Sequence, residues 1–195
     1  MYKECHTEES KLRQRSIEDG LLSMLKTHHY DQISVKDLCA CVNIPRNTFY
    51  RYFEGKSDVL NALIDHAFLD YELNSINDGN LYSELENFFI YWKEKSELLD
   101  ALEKSDLSIV LVNRCVFLGQ NRINWKRFNI YNSKDNWQCN YTTQFIYGGV
   151  LTIIIRWHHE GFKQSPSELA KFCKKMIERR DVIELRNSSI VLKST

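Results

Sequence analysis

Residues 34–56 read SVKDLCACVNIPRNTFYRYFEGK, and this stretch decides the fold of the first part of the chain. Its apolar residues at i, i+3, i+4 and i+7 are Val35, Leu38, Cys39 and Val42. That spacing predicts a short amphipathic helix, which Ser34 is expected to cap. Asn43 then interrupts the pattern, since asparagine tolerates the left-handed backbone of a tight turn. Pro45 suits the first position of a second helix, so the stretch predicts a helix-turn-helix.

The second helix has two different faces. Phe49 and Phe53 lie four residues apart and are expected to face the first helix. The opposite face carries polar side chains, namely Asn47, Tyr50 and Arg51, flanked by Arg46 and Thr48. Guanidinium, amide and phenol groups bind DNA phosphates and base edges. The second helix is therefore predicted to be a DNA recognition helix.

The run Thr48-Phe49-Tyr50-Arg51-Tyr52-Phe53, with Lys56 three residues further on, resembles the DNA-binding module of the TetR family of bacterial transcriptional regulators. Two positions differ from the usual pattern of that family: Asn43 stands where Gly is usual, and Pro45 where Ser or Thr is frequent. Both residues suit the backbone geometry of their positions. The resemblance implies an all-α fold, with a helix-turn-helix DNA-binding domain over residues 1–57 and a helical regulatory and dimerisation domain over residues 58–195.

The resemblance also assigns the predicted DNA contacts. Phosphates are expected to be held mainly by Lys36, Thr48, Tyr50, Tyr52 and Lys56. Base edges are expected to be read by Arg46, Asn47 and Arg51, because Arg suits guanine and Asn suits adenine in the major groove. Ser34, at the start of the first helix, completes the predicted DNA-binding set.

Composition narrows the class of protein. Apolar residues make up 43% and charged residues 27% of the chain, as in ordinary soluble globular proteins, and only 7 Gly and 2 Pro favour a helical fold. The formal net charge is zero, so a DNA-binding surface must rest on a local patch. Within residues 34–56 four basic residues, Lys36, Arg46, Arg51 and Lys56, outnumber two acidic ones.

No pattern in the sequence predicts an enzyme, a cofactor or a metal site. A Gly-rich phosphate loop, Gly-x-Ser-x-Gly and His-Glu-x-x-His are all missing, so no catalytic residue is predicted. Cys39 and Cys41 are not followed by a second pair, so the six cysteines are interpreted as free thiols, with redox sensing as the alternative. The first ten residues are polar and expected to fray. Since no signal peptide or membrane span is recognisable, a cytoplasmic protein is expected.

Further helices are predicted over residues 11–27, from a cap at Ser57 to about residue 75, and over 81–95, 98–104 and 107–118. Their aromatic residues form either a plain core or the lining of a small-molecule pocket. The candidate ligand-binding residues are Phe68, Tyr71, Phe88, Tyr91, Trp92 and Phe117. Residues 119–140 are rich in Asn, Lys and Arg and are interpreted as a solvated loop, with a second nucleic-acid surface as the alternative; a short helix within them is also possible.

The run FIYGGVLTIIIRWHHEGFKQSPSELA, residues 145–170, is similar to the closing helices of a TetR subgroup that includes the dihydroxyacetone kinase operon activator. In the family these helices pair across a two-fold axis. The predicted dimer interface is Phe145, Gly149, Thr152, Ile153, Arg156, Leu169, Phe172, Cys173 and Met176. Gly149 belongs either to this interface or to the core of one protomer.

Two hypotheses for function follow. In the first, a homodimeric repressor binds a near-palindromic operator and is controlled by a small apolar effector. In the second, the core is filled, and a partner protein instead of a small molecule supplies the signal, as the resemblance to the dihydroxyacetone operon activator permits. A solvent-connected cavity between residues 60 and 160 would separate the two.

Overall fold

The computed structural model describes residues 2, 3, 5–74, 79–122 and 136–191, and all regular structure within them is helical. A single 3₁₀ turn, Tyr30–Gln32, precedes α2. The α-helices are α1 (Glu8–Leu25), α2 (Val35–Cys41), α3 (Arg46–Phe49), α4 (Lys56–Asn74), α5 (Leu81–Glu94), α6 (Ser96–Lys104), α7 (Ser108–Arg122), α8 (Asn136–His159) and α9 (Pro166–Val191). The all-α prediction is confirmed.

Local capping chemistry fixes several helix starts. The Ser34 hydroxyl accepts a hydrogen bond from Asp37 N at 3.2 Å and thereby caps α2, as predicted. Ser165 and Glu168 form the same reciprocal cap before Pro166, the first residue of α9. Asn43 adopts φ 52°, the left-handed conformation expected of the turn. These features are local, so the sequence alone predicts them.

Several predicted helix starts are wrong; α6, for example, begins at Ser96 instead of residue 98. The first helix begins at Glu8 instead of residue 11, because Thr7 accepts a hydrogen bond from Ser10 N at 3.2 Å. Pro45 precedes α3 as its N-cap, with ψ 148°, instead of opening the helix. The fourth helix begins at Lys56, so Ser57 lies inside its first turn.

The segment before α1 is docked, not frayed as its polarity predicted. Lys3 N donates to Tyr52 O at 3.0 Å, and the Tyr2 hydroxyl donates to Asp65 Oδ2 at 2.9 Å. These partners lie about 50 and 63 residues further along the chain, beyond the reach of any local pattern.

The chain divides into two compact units. The first contains Met1–Leu73 and Lys95–Leu118, and therefore α1 to α3, nearly all of α4, α6 and most of α7. Its helices pack around large apolar side chains that are fully buried, including Ile17, Leu21, Leu25, Leu38, Phe49, Phe53, Ile64 and Phe68. The recognition helix is thus supported from behind by the first unit's core.

Gly20 on α1 lets α2 approach closely. Gly20 is buried, and a Cβ at this position would overlap the Val42 side chain. The packing gives the reason for a glycine here, because any larger side chain would push α2 away from α1.

The second unit contains Asn74–Glu94 and Gly119–Thr195, hence α5, α8 and α9. Trp157 on α8 is 2% exposed, and its ring lies edge-on to Phe89 of α5 at 5.7 Å between centroids. Its indole N–H donates to Gln164 O at 2.9 Å in the α8–α9 connection. Gly161 follows α8 with φ 73°, the left-handed conformation typical of a glycine at a helix end.

Several predictions fall outside the described residues. Within the loop predicted over 119–140, the backbone of α7 continues to Arg122 and that of α8 begins at Asn136, while residues 123–135 lie outside the description. The tail, left without an assignment, continues α9 as far as Val191. Free thiols are present at Cys5, Cys39, Cys41, Cys115 and Cys173, and the Cys139 side chain is not described.

Candidate nucleic-acid interface

The recognition helix presents the predicted base-reading residues to solvent. Arg46, Asn47 and Arg51 are exposed, whereas Phe49 is fully buried and Phe53 is 1% exposed beneath them. Helical hydrogen bonds continue past α3, since Tyr52 N and Phe53 N both donate to Phe49 O. The two phenylalanines, with ring centroids 5.7 Å apart, fix the orientation of the helix. One face is therefore anchored in the core while the other offers two guanidinium groups and an amide.

Tyr50 and Tyr52, which follow α3, have different environments. Tyr50 is 50% exposed and its ring lies edge-on to Phe49 at 5.4 Å. Tyr52 is only 8% exposed, and its carbonyl accepts from Lys3 N. The Tyr50 side chain is therefore accessible from solvent, whereas Tyr52 lies mostly within the module. Thr48 is half-buried between them in the chain.

The start of α2 supplies a second group of predicted contacts. Ser34 and Lys36 are exposed, and Ser34 Oγ also donates to the Asp37 carboxylate at 2.5 Å. The hydrogen bonds from Ser34 lower the pKa of Asp37 below its usual range, so this carboxylate is ionised at neutral pH. The Ser34 hydroxyl both donates to the Asp37 carboxylate and accepts from Asp37 N, so it is already hydrogen-bonded within the protein.

Lys56, a predicted phosphate contact, is engaged within the protein. Its ammonium donates to the carbonyls of Tyr30 at 2.7 Å, Ile33 at 2.9 Å and Asp31 at 3.4 Å. It also lies 4.3 Å from the centre of the Tyr30 ring. Three donors thus meet three acceptors in the segment that leads into α2, which ties the start of α4 to the helix-turn-helix.

A buried carboxylate that sequence reasoning did not single out lies behind the module. Asp65 on α4 is 2% exposed and accepts from the Tyr2 hydroxyl and, through both of its oxygens, from the Arg114 guanidinium of α7. A bidentate guanidinium–carboxylate pair of this kind holds two helices in a fixed register. Only the fold brings these residues together, so no spacing in the sequence indicates them.

The six candidate ligand-binding residues divide between the two units. Phe68 and Tyr71 are buried in the first unit and Phe117 is 52% exposed there. Phe88 and Trp92 are buried in the second unit, where Tyr91 is half-buried. The rings of Phe88 and Tyr91 lie edge-on to Trp92 at 6.1 and 5.8 Å, so the second group forms one aromatic cluster.

Trp92 carries an unusual polar atom. The side chain is fully buried, yet its indole N–H has no hydrogen-bond acceptor among the described residues. A buried donor without a partner costs free energy, about 1–3 kcal/mol, so a molecule that offers an acceptor there gains by binding.

A surface groove of about 250 Å³ lies between the end of α1 and α6, within the first unit. It contains none of the six aromatic candidates. Its lining residues are Leu25, Lys26, Glu97, Asp100, Ala101 and Lys104. The Lys26 ammonium pairs with the Glu97 carboxylate at 2.9 Å, and the Lys104 ammonium donates to the backbone carbonyl of Lys26 at 2.8 Å.

The predicted dimer residues lie on α8 and α9 in the second unit. Phe145 is 68% exposed and Phe172 and Met176 are each 53% exposed, which is unusual for side chains of this size. Gly149, Thr152 and Arg156 are exposed on α8, while Ile153 and Leu169 are half-buried. Cys173 is the exception: it is 3% exposed and packs into its own protomer, and this burial raises the pKa of its thiol to about 11.

The structure also locates the Thr152 hydroxyl and Gly149. Thr152 Oγ1 donates to the carbonyls of Gly148 and Gly149 at 2.9 and 2.8 Å. The hydrogen-bonding capacity of this exposed hydroxyl is therefore used within α8 itself. A Cβ at Gly149 would meet no atom of the described residues within 4 Å. The described part of the protomer therefore leaves room for a Cβ at this position.

The part of the chain that the structure describes contains neither a membrane-spanning helix nor a cluster of metal ligands. None of its helices is long and apolar enough to cross a membrane. It contains no group of three or more His, Cys, Asp or Glu side chains placed to hold a metal ion.

Comparison with known proteins gives consistent results. Residues 79–179 match the TetR-type family described as "Transcriptional regulator C-terminal region". The "HTH-type dhaKLM operon transcriptional activator DhaS" of Lactococcus lactis subsp. lactis strain IL1403 is 30% identical over 78 residues. That match covers 40% of this chain and 40% of the relative, less than half of the relative's length.

Solved structures share the fold at low sequence identity. A TetR transcriptional regulator from Streptococcus agalactiae 2603V is 20% identical with a TM-score of 0.63, covering 88% of this chain and 99% of that one. The dihydroxyacetone kinase operon activator DhaS is 17% identical with a TM-score of 0.54, covering 87% and 96%. The fatty acid degradation regulator FadR from Bacillus halodurans is 16% identical with a TM-score of 0.53, covering 90% and 96%.

Proposed function

Because this chain belongs to the TetR family of transcriptional regulators, with the family match covering residues 79–179 of 195, we propose that it binds a near-palindromic DNA operator as a homodimer. The observation that carries the proposal is the exposed face of α3 and the residues that follow it, 50–53, together called the recognition turn. Arg46, Asn47 and Arg51 are exposed together above a buried phenylalanine pair. Such a surface enters a major groove with its polar groups toward base edges.

The two proposed functions, DNA binding and regulation, are assigned to the two domains predicted from the sequence. Residues 1–57 bind DNA, and residues 58–195 regulate and dimerise. The exposed apolar side chains Phe145, Phe172 and Met176 support dimerisation, because a second copy of α8 and α9 would remove them from water. Two helix-turn-helices on a two-fold axis then bind half-sites one helical turn apart, about 34 Å, or a multiple of it.

The direction of regulation is proposed to be repression. Repression requires only that the bound dimer occupy its operator and exclude polymerase, whereas activation requires a further surface that recruits polymerase. A transcription assay with and without the protein on the selected operator distinguishes the two. An increase in transcript would replace repression by activation.

Selection of bound fragments from genomic DNA tests the DNA-binding proposal. The full chain should enrich a near-palindromic sequence, and a matched variant, Arg46→Ala/Asn47→Ala, should enrich none. Because both side chains are exposed, the variant should keep its helical circular dichroism. No enrichment by the wild-type chain, under salt conditions that permit weak binding, would overturn the proposed function.

The proposed effector is a small, mostly apolar molecule with a hydrogen-bond acceptor. The aromatic cluster of Phe88, Tyr91 and Trp92 supports an apolar ligand, and the unpartnered Trp92 N–H supports the acceptor. Trp92→Phe keeps a ring and removes the N–H, so it should weaken binding of an effector that releases DNA. Trp157→Phe is the control, because Gln164 O already accepts from Trp157.

Control by a partner protein is the second candidate. It is favoured by the resemblance to DhaS and by the tight packing of Phe68, Phe88 and Trp92, each at most 6% exposed. A metabolite screen against the protein–operator complex separates the two candidates. If released DNA tracks a metabolite and the release survives unchanged in Trp92→Phe, the effector binds elsewhere; if no metabolite releases DNA, partner control is favoured.

A further inference from the structure

The segment that precedes α1 is fastened to the end of the recognition turn. Lys3 N donates to Tyr52 O at 3.0 Å, and Lys3 O accepts from the Gln14 side chain of α1 at 3.5 Å. Tyr52 directly follows Arg51, which faces solvent on the proposed DNA-binding side. The backbone of Lys3 is therefore held one residue away from a proposed DNA contact.

Tyr2 anchors this segment from the inside. Its hydroxyl donates to Asp65 Oδ2 at 2.9 Å, and its ring lies 6.4 Å from the Phe53 ring and 6.0 Å from the His66 ring. Burial beside Asp65 raises the pKa of the Tyr2 phenol, so the hydroxyl keeps its proton and remains a donor. Asp65 is at the same time held by Arg114, so the anchor is itself rigid.

Lys3 is placed differently from its neighbour. Tyr2 is half-buried against α4, whereas the Lys3 side chain is exposed. A lysine ammonium is a compact charge on a flexible stem, suited to a phosphate more than to a base edge. The fold thus places the backbone of a lysine with an exposed side chain beside Tyr52.

We propose that this docked segment is a second DNA-contacting element, in which Lys3 binds an operator phosphate and the Tyr2–Asp65 hydrogen bond holds Lys3 in place. The inference rests on the proposed operator binding. It adds a contact outside residues 34–56, and it links that contact through Asp65 to Arg114 of α7. A phosphate contact adds affinity for every DNA sequence and leaves the sequence preference unchanged.

The test measures binding of the full chain, tagged after its last residue, to the selected operator and to an unrelated duplex over a range of salt concentrations. Lys3→Gln should weaken binding to both duplexes by the same factor and reduce the slope of log K against log salt by about one unit. Lys26→Gln is the control, since it removes the same charge at the far end of α1, where Lys26 pairs with Glu97. That control should leave the slope unchanged.

A second variant tests the anchor. Tyr2→Ala removes the ring and hydroxyl that hold the segment, so it should weaken DNA binding about as much as Lys3→Gln. Adding Lys3→Gln to Tyr2→Ala should then cause little further loss, because the charge is no longer held in place. Full additivity of the two changes would overturn the anchoring role.

The outcomes separate this inference from the proposed function. If the wild-type chain binds the operator and Lys3→Gln binds with the same affinity and the same salt slope, Lys3 is a solvated charge and the inference is wrong. If the wild-type chain binds no DNA, the proposed function itself fails. A loss restricted to the operator would make Lys3 a base contact, which also contradicts the phosphate assignment.

Discussion

At the scale of single residues, the recognition turn contains two kinds of side chain: buried ones that pack in the core and exposed ones that are proposed to contact DNA. Phe49 and Phe53 hold the turn in the core, while Arg46 and Asn47 are exposed to solvent. Removing an exposed side chain from this face should therefore change DNA binding without changing stability.

Arg46→Ala and Asn47→Ala should each weaken operator binding by about 1–3 kcal/mol and relax the preference at one operator position. The reason is that a bidentate contact to one base is lost while the remaining contacts persist. Binding to a set of single-base operator variants measures this. Lys36→Ala is the matched comparison, because a phosphate contact should weaken all variants equally; equal losses in all three proteins would remove the distinction.

Lys56 raises a different question at the same scale, because its ammonium already has three carbonyl partners within 3.4 Å. Lys56→Met should lower the free energy of unfolding by about 1.5–3 kcal/mol, since several hydrogen bonds to a charged group are lost. A role limited to a phosphate contact predicts unchanged stability and a salt slope lower by about one unit. Urea unfolding and salt-dependent binding of the same variant distinguish the roles.

At the scale of helices, α1 makes the contacts that hold the first unit together. Gly20 lets α2 approach, and Glu18 reaches α4, where His66 Nδ1 lies 2.8 Å from Glu18 Oε2. Glu18 is 1% exposed, and its other oxygen has no hydrogen-bond partner among the described residues. Arg15 of α1 lies 3.7 Å from the paired oxygen and also binds Asp70 of α4.

Burial raises the pKa of Glu18, and this outweighs the opposite effects of His66 and Arg15. As pH rises above about 4.3, the unfolded chain releases this proton first, so Glu18 lowers the stability of the folded chain until its own pKa is passed. Glu18→Gln cannot ionise. Its stability relative to the wild type should therefore increase with pH, as measured by urea unfolding in steps from about pH 4.5 upward.

The control for this prediction is Glu9→Gln, an exposed position in the first turn of α1. It should leave the pH dependence close to that of the wild type. A stability difference between Glu18→Gln and wild type that stays constant with pH would contradict the assignment of a raised pKa to Glu18.

At the scale of the whole molecule, the proposed dimer decides whether two recognition helices reach one operator. Gly149 lies on the exposed face of α8, and a Cβ there would meet no atom of the described residues within 4 Å. Of the two interpretations predicted from the sequence, we propose that Gly149 belongs to the interface.

Gly149→Leu should give a folded monomer that no longer binds its operator, because the added side chain prevents close approach of two α8 helices. Light scattering measures the mass, circular dichroism the helicity and a binding assay the operator affinity. Ser23→Leu adds the same side chain to an exposed position of α1 and should leave a dimer. A folded, DNA-binding dimer of Gly149→Leu would exclude this glycine from the interface.

The sequence by itself determined the helical fold, the helix-turn-helix and the family. These depend on local signals: the apolar spacing before Val42, the left-handed Asn43 and the caps at Ser34 and Ser165 act over a few residues. Local interactions are encoded by neighbours in the chain, so a single sequence is enough to predict them.

Only the tertiary structure decided which side chains are buried or hydrogen-bonded within the protein and which remain exposed. Tyr52 and Cys173 are buried although their positions in the sequence match contact surfaces, and Lys56 binds backbone carbonyls at least 23 residues earlier in the chain. Tyr2 meets Asp65 across 63 residues. Such pairs form because packed helices bring distant residues together, and their positions depend on the whole core instead of on any local pattern.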